Sequence, residues 1–369
     1  SWSDTTQDAT HLRNSPRDFT VFGIEPTASL LIDGDISQHI IAGARYINED
    51  ISYQLNHIDK STQTATRPRD WQMDTNAMAY YVSNKVGFFD DTFSITPGIR
   101  YEDVRMTFTN VGQGYSQDNH VTEWLPGITL GYEFSSNWFA YTNAQRSLRT
   151  PQISQLWPKD QTLESELSWN YEAGVRFTPT ERSNLSIAAY RIDFENKIEY
   201  DGDVSLFVNI GQTRNQGIEL EGTYSPMSLP DLVLTGAYNY LDTEQLDGEF
   251  AGNELAYVSK HQLSASALYS IKDVDLGLMA FYYSKSFADL ANSVEEDVSG
   301  TSGEVPAYTV VNFNIATEFF KQDNHGLKVG LSVNNLFDNE YYFRGLDVSP
   351  AGRVPASGRS LSLDVGYTF

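Results

Sequence analysis

The stretch SLSLDVGYTF at 360–369 alternates without a break: Leu361, Leu363, Val365, Tyr367 and Phe369 fall on one side, Ser362, Asp364, Gly366 and Thr368 on the other. A period of two describes a strand with one apolar and one polar face. Upstream, Leu327, Val329, Leu331 and Val333 alternate with Lys328, Gly330, Ser332 and Asn334. Farther up, Val274, Leu276, Leu278, Ala280 and Tyr282 share a face. A soluble sandwich would bury such faces against a second sheet. A membrane barrel would turn them to lipid.

Connection lengths separate the two. Strands are expected at 20–31, 38–49, 75–88, 93–110, 124–134, 137–147, 168–177, 185–198, 212–224, 232–243, 261–269, 274–283, 308–318, 327–334 and 360–369. Short turns at 32–37, 89–92, 135–136, 178–184 and 270–273 alternate with long connections at 50–74, 111–123, 148–167, 244–260, 284–307 and 335–359. Sorting short turns to one side and long loops to the other is a property of outer-membrane barrels. The segment 185–198 exchanges its apolar face midway, which predicts a bulge. Phe369 then ends on the short-turn, periplasmic side, and counting back makes the first strand a descending one.

Large plugged barrels have about 22 strands, and strands eight to twenty-two of one would have this parity. The expectation is therefore all-β: residues 1–369 as a single unit, a transmembrane antiparallel β-barrel with about fifteen strands of a larger, ~22-stranded plugged barrel, the plug domain absent. No charged n-region followed by an apolar core opens the chain, so the earlier strands, plug and leader are expected upstream.

Composition agrees. Hydropathy averages −0.40, and no apolar run approaches the ~20 residues of a membrane helix. A barrel escapes that test, because its apolar residues alternate with polar ones. Acidic residues number 49 against 25 basic, a net charge of −24, which excludes nucleic acid as a partner. Without cysteine there are no disulfides and no thiolate metal sites. Trp124, Trp138, Tyr141, Trp169, Tyr171, Tyr238, Tyr240, Tyr282, Tyr283, Tyr341, Tyr342 and Tyr367 gather near strand ends, as expected of aromatic girdles at the two lipid interfaces.

Several stretches carry a resemblance to TonB-dependent receptors of the bacterial outer membrane. NIGQTRNQGIEL at 209–220 resembles the family's Gly-x-[Thr/Ser]-x-x-x-Gly-[Val/Ile]-Glu strand, and VNNLFDNEYYFR at 333–344 its near-terminal Asn-[Leu/Ile]-Phe-Asp…Tyr motif. The loop SKSFADLANSVEEDVSGTSGEVP at 284–306 is similar to that of ferric citrate receptors through Phe287-Ala288-Asp289, Ala291-Asn292, Val294, Glu296, Gly300, Gly303 and Pro306. The resemblance implies energised import of an iron(III)–citrate complex. The partners it implies are the TonB–ExbB–ExbD system, reached through the plug, and the lipid and lipopolysaccharide of the outer membrane.

Ferric dicitrate is anionic, so an acidic chain must hold it with local donors. Arginine suits carboxylates because its planar fork binds them bidentately. Among the loop arginines Arg13, Arg17, Arg67, Arg69, Arg149, Arg344, Arg353 and Arg359, the resemblance places a substrate-binding role on Arg69, and a second on Arg13 or Arg17. Two further family ligand positions fall on Gly202 and Ser349, which lack the expected amide side chains and leave a related carboxylate chelate open. A single loop arginine is more often a solvated surface charge. Neither the six histidines nor any nucleophile elbow has the spacing of a metal or catalytic site, and Glu295-Glu296 reads as a solvated loop pair. No enzyme activity, cofactor or resident metal is expected, and the competing classes are a passive porin and a barrel enzyme.

Overall fold

The computed structural model describes residues 2–7, 10–157, 159, 162–201, 206–298, 302–322, 325–344 and 353–368. Its strands are β1 (Trp2–Gln7), β2 (His11–Ile24), β3 (Thr27–Ile32), β4 (Ile36–Asp59), β5 (Ala65–Phe88), β6 (Phe93–Asn110), β7 (Tyr115–Ser135) and β8 (Trp138–Arg149). After a 3-10 turn, Ile153–Leu156, come β9 (Glu166–Thr180), β10 (Ser183–Glu195), β11 (Ile198–Asp201), β12 (Leu206–Asn209), β13 (Thr213–Tyr224) and β14 (Leu232–Gln245). The rest are β15 (His261–Ile271), β16 (Val274–Tyr283), β17 (Ser286–Phe287), β18 (Glu304–Val305), β19 (Tyr308–Gln322), β20 (His325–Asn334), β21 (Tyr342–Arg344), β22 (Arg353–Pro355) and β23 (Ser360–Thr368). Every strand expected from the sequence is present. Phe369, Gly202 and Ser349 lie outside the described residues.

A single 17-stranded antiparallel sheet contains the long strands, and the pairs β11–β12, β17–β18 and β21–β22 form small hairpins within the long connections. β2 and β3 lie along the same neighbour, β2 on the upper part of β4 and β3 on the lower, so they are one strand interrupted at Glu25-Pro26. Proline has no N–H for the ladder, which accounts for the break. β23 pairs with β20, and β3 with β4. β3 and β23 are exposed along their whole lengths.

Register carries one apolar face around the sheet. Tyr80, Tyr101 and Trp124 stand side by side, as do Val82, Ile99 and Pro126. Met78, Tyr80, Val82, Ile99, Trp124, Ile128, Tyr132, Leu278, Leu331, Leu363 and Tyr367 on this face are all substantially exposed. Exposed apolar side chains on successive strands are tolerated where lipid is the solvent. The opposite face holds Arg100, which bridges Glu102 through its Nε, and Tyr190, whose hydroxyl donates to Asn239. Of the expected girdle residues, Tyr141 and Tyr283 belong to that inner face: Tyr141 donates to Glu172, and Tyr283 stacks on Tyr308 at 5.1 Å.

Two connections read as loops are strands. β4 and β5 remain paired up to Ile58 and Ala65, and β6 and β7 up to Asn110 and Tyr115, so 50–74 and 111–123 are mostly tall hairpins. The β4–β5 turn is closed by Asp59, whose Oδ1 accepts from Ser61 N at 2.8 Å, Ser61 Oγ at 2.6 Å and Thr62 N at 2.9 Å. Those bonds, the Ser61 hydroxyl first, hold its carboxyl down to about 2. The bulge expected in 185–198 is also absent there: β10 pairs with β13 without a shift, and its one irregularity against β9 lies at Ser183/Leu185. The exchanged face has another cause. Leu185, Ile187 and Ala189 face lipid, while above them Arg191 and Asp193 face water on the same side of an unbroken strand.

Candidate functional site

The same inversion builds the site. A strand crosses the membrane with about 9–11 residues, whereas β4 and β5 each have 24. Above Met78 the outer face of β5 turns polar, with Asn76, Asp74 and Gln72, and the inner face turns apolar, with Met73 and Trp71. Alternation continues in opposite phase because water now lies outside. Trp71, Met73, Val104, Met106, Phe108 and Leu156 are buried together, with Ile51, Tyr53, Tyr115 and Ile153 packed against them. This is a small soluble-type core standing above the membrane band.

One rung of that hairpin wall runs Arg17 (β2), Tyr53 (β4), Trp71 (β5) and Asn110 (β6). Arg69 is opposite Leu55, one step higher on the face. Its Nη1 donates to the Tyr53 hydroxyl at 3.0 Å, and its guanidinium carbon lies 5.0 Å from the Trp71 ring centre and 5.8 Å from that of Tyr53. The Arg17 guanidinium sits 4.3 Å above the Tyr53 ring. Tyr53 meets Trp71 edge-on at 5.5 Å and 90°. Partial burial works to raise the Tyr53 phenol, but the hydrogen bonds and charges of Arg17 and Arg69 outweigh it and bring it below the ordinary tyrosine value.

The connection 150–165 covers this wall. Leu156 is 3% and Leu163 4% exposed. Gln117 donates to the Leu156 carbonyl, and Asn119 to that of Leu163 at 3.2 Å. Trp157 is thereby held at Trp71, and the Trp71 Nε1, buried, has no hydrogen-bond partner among the described residues. Two guanidinium groups therefore lie beside an aromatic pair of which Trp157 is the exposed member. A guanidinium has five donors, and Arg69 spends one on Tyr53.

The structure thus brings together Arg69 and Arg17 and leaves Arg13 out. Arg13 is on the same face of β2 but opposite His57, about 13 Å of strand above Arg17, and it is exposed. Arg67 is held elsewhere, by Asn56 at 3.0 Å and Asp70 at 3.1 Å. Arg149 pairs with buried Glu166 and Arg359 with Asp338. Arg344 and Arg353 are opposite one another in the β21–β22 hairpin. Tyr53, Trp71 and Trp157 were not singled out from the sequence. The signal was the phase change, with Ile51 and Tyr53 facing Met73 and Trp71 where the lipid-facing pattern stops.

A wide antiparallel sheet with an apolar outer face, sorted connections and an arginine–aromatic wall at its long-loop end defines an outer-membrane β-barrel of the receptor kind. Residues 1–336 match the family described as "TonB dependent receptor-like, beta-barrel". The chain belongs to that family. Its relatives are receptors and transporters of the bacterial outer membrane rather than enzymes, and that membrane is where this chain resides. It is 29% identical over 261 residues to the ferrichrome outer membrane transporter/phage receptor of Escherichia coli strain K12, covering 68% of this chain and 33% of the relative. It is 26% identical over 311 residues to the metal-pseudopaline receptor CntO of Pseudomonas aeruginosa strain UCBPP-PA14, covering 80% and 41%. The fold superposes on the ferric citrate transporter FecA in its unliganded form with a TM-score of 0.84 at 24% identity, over 99% of this chain and 57% of that one. The chain therefore spans 33% and 41% of the two curated relatives named.

Proposed function

We propose that this chain is part of the barrel of a receptor that captures an iron(III) chelate of the carboxylate type, ferric citrate foremost. The receptor then imports the chelate through a plug driven by the TonB–ExbB–ExbD system. The supporting observation is the convergence of Arg17 and Arg69 on Tyr53 above the membrane band, in a chain whose net charge of −24 opposes any anion elsewhere. Paired guanidinium forks match carboxylates in shape as well as charge. Likeness of the fold to a ferric citrate transporter supports the same choice.

The test uses the full-length receptor. Ferric citrate, ferrichrome and ferrioxamine B are compared for binding, and citrate-dependent growth under iron limitation is measured with and without TonB. Tight binding of ferric citrate together with TonB-dependent growth is expected. Binding of another chelate in its place removes the substrate assignment and keeps the receptor class. Uptake indifferent to TonB removes the class in favour of a porin.

A further inference from the structure

Arg17 and Arg69 reach the site from strands that do not touch: β2 pairs with β4, and β4 with β5. Two guanidinium groups brought to one place repel each other. Tyr53, on the strand between them, contacts both. Its ring lies under the Arg17 guanidinium at 4.3 Å, and its hydroxyl accepts from Arg69 Nη1 at 3.0 Å. Its edge-on packing against Trp71, 5% exposed, fixes the ring plane. We propose that Tyr53 is the positioning residue that makes Arg17 and Arg69 a single anion-binding unit, and that its neutral hydroxyl is the form in which the unit accepts an anionic chelate. This rests on the proposed function above and names the regulation of that site.

The hydroxyl has two states with opposite consequences. As a phenol it accepts from Arg69 and leaves both guanidinium charges in place. As a phenolate it neutralises one of those charges and repels the chelate. The groups facing it are Arg17 from β2 and Arg69 from β5, with uncharged Trp71 below and the phenol of Tyr115 in the same packed cluster. Among the described residues no carboxylate hydrogen-bonds to it. Ionisation therefore begins below the ordinary tyrosine range, and anion binding falls as pH rises through it.

The experiment compares full-length wild type, Tyr53→Phe, Arg69→Ala and the double variant. Phenylalanine keeps the ring under Arg17 and removes only the hydroxyl. Ferric citrate affinity is expected to weaken by about tenfold in Tyr53→Phe, the size of one charge-assisted hydrogen bond. In the Arg69→Ala background the Tyr53→Phe change is expected to cost little, because the coupled partner is gone. Wild-type binding weakens between neutral and alkaline pH, and the Tyr53→Phe profile is flatter. A ligand-free arm follows tyrosinate absorbance: the earliest-titrating tyrosine disappears in Tyr53→Phe and moves to higher pH in Arg69→Ala. If wild type ignores ferric citrate, the substrate reading fails while the absorbance arm still decides Tyr53. Equal affinity and equal pH profile in Tyr53→Phe overturn the inference, as does a titration that no substitution moves.

Discussion

The indole of Trp157 lies 5.8 Å from that of Trp71, inclined by 31°, so a connection and a membrane-rooted strand share one aromatic surface. Trp157 is 38% exposed whereas Trp71 is 5% exposed. Trp157 is thus the member that a ligand can reach. Trp157→Ala should leave the receptor folded and reduce the quenching of tryptophan fluorescence by a bound iron chelate. Loss of one stacking contact of roughly 0.5–1.5 kcal/mol should weaken binding by about two- to tenfold. Undiminished quenching would place the chelate elsewhere.

Arg69→Ala in the full-length receptor is expected to lower ferric citrate affinity by about ten- to a hundredfold, since a hydrogen bond to a charged group is worth about 1.5–3 kcal/mol. Arg69→Lys should recover part of this, because an ammonium lacks the bidentate fork. Arg67→Ala is the control, its side chain being engaged by Asn56 and Asp70. Equal effects of the two alanine variants would reduce Arg69 to one more surface charge.

Asp50 and Asp74 face each other across β4 and β5 on the watered part of the outer face. Burial, then the hydrogen bond and charge of Asp50, raise the Asp74 carboxyl. A raised folded-state value means that ionisation costs stability, absent below the unfolded value near ~4 and complete above the folded one. Asp50→Asn should therefore stabilise at neutral pH, by less than about 1 kcal/mol because solvent screens the pair. The gain should vanish below about pH 4. Thermal midpoints of the detergent-solubilised receptor at the two pH values measure it, and a gain independent of pH would refute the pairing.

Leu363 on β23 is opposite Leu331 on β20, with both on the lipid side and Leu363 68% exposed. Leu363→Arg should cost up to about 2–4 kcal/mol near the bilayer midplane and lower the level of assembled receptor. Asp364→Arg, on the polar side, should not. Receptor recovered from outer membranes as a heat-modifiable species distinguishes them.

The membrane part of this fold is legible because lipid imposes one rule on every strand. Leu185 to Ala189, Val274 to Tyr282 and Leu361 to Tyr367 could be placed, with their faces, from alternation alone. The hairpins above were missed for a definite reason. At Asn76–Met78 and at Tyr190–Arg191 the solvent on the outer face changes from lipid to water, so the pattern inverts without the strand ending. Inversion reads as a loop in 50–74 and as a bulge in 185–198. Arg69 could be named because its chemistry suits a carboxylate. Tyr53 could not, since its role depends on the β2–β4–β5 register, and the choice of Arg17 over Arg13 required that register too.

The length of β5 has a consequence for transport. From Phe88 to Arg69 the strand runs about 60 Å, well beyond the ~25 Å apolar band even after allowing for tilt. Under the proposed function, capture takes place on a mast and passage at its foot. The two steps draw on different residues, so a defect at Arg69 should appear as a need for more chelate, with the saturated import rate little changed. A defect deep in the lumen should do the reverse. Selection for a new chelate can accordingly act on the mast while the machinery below stays untouched.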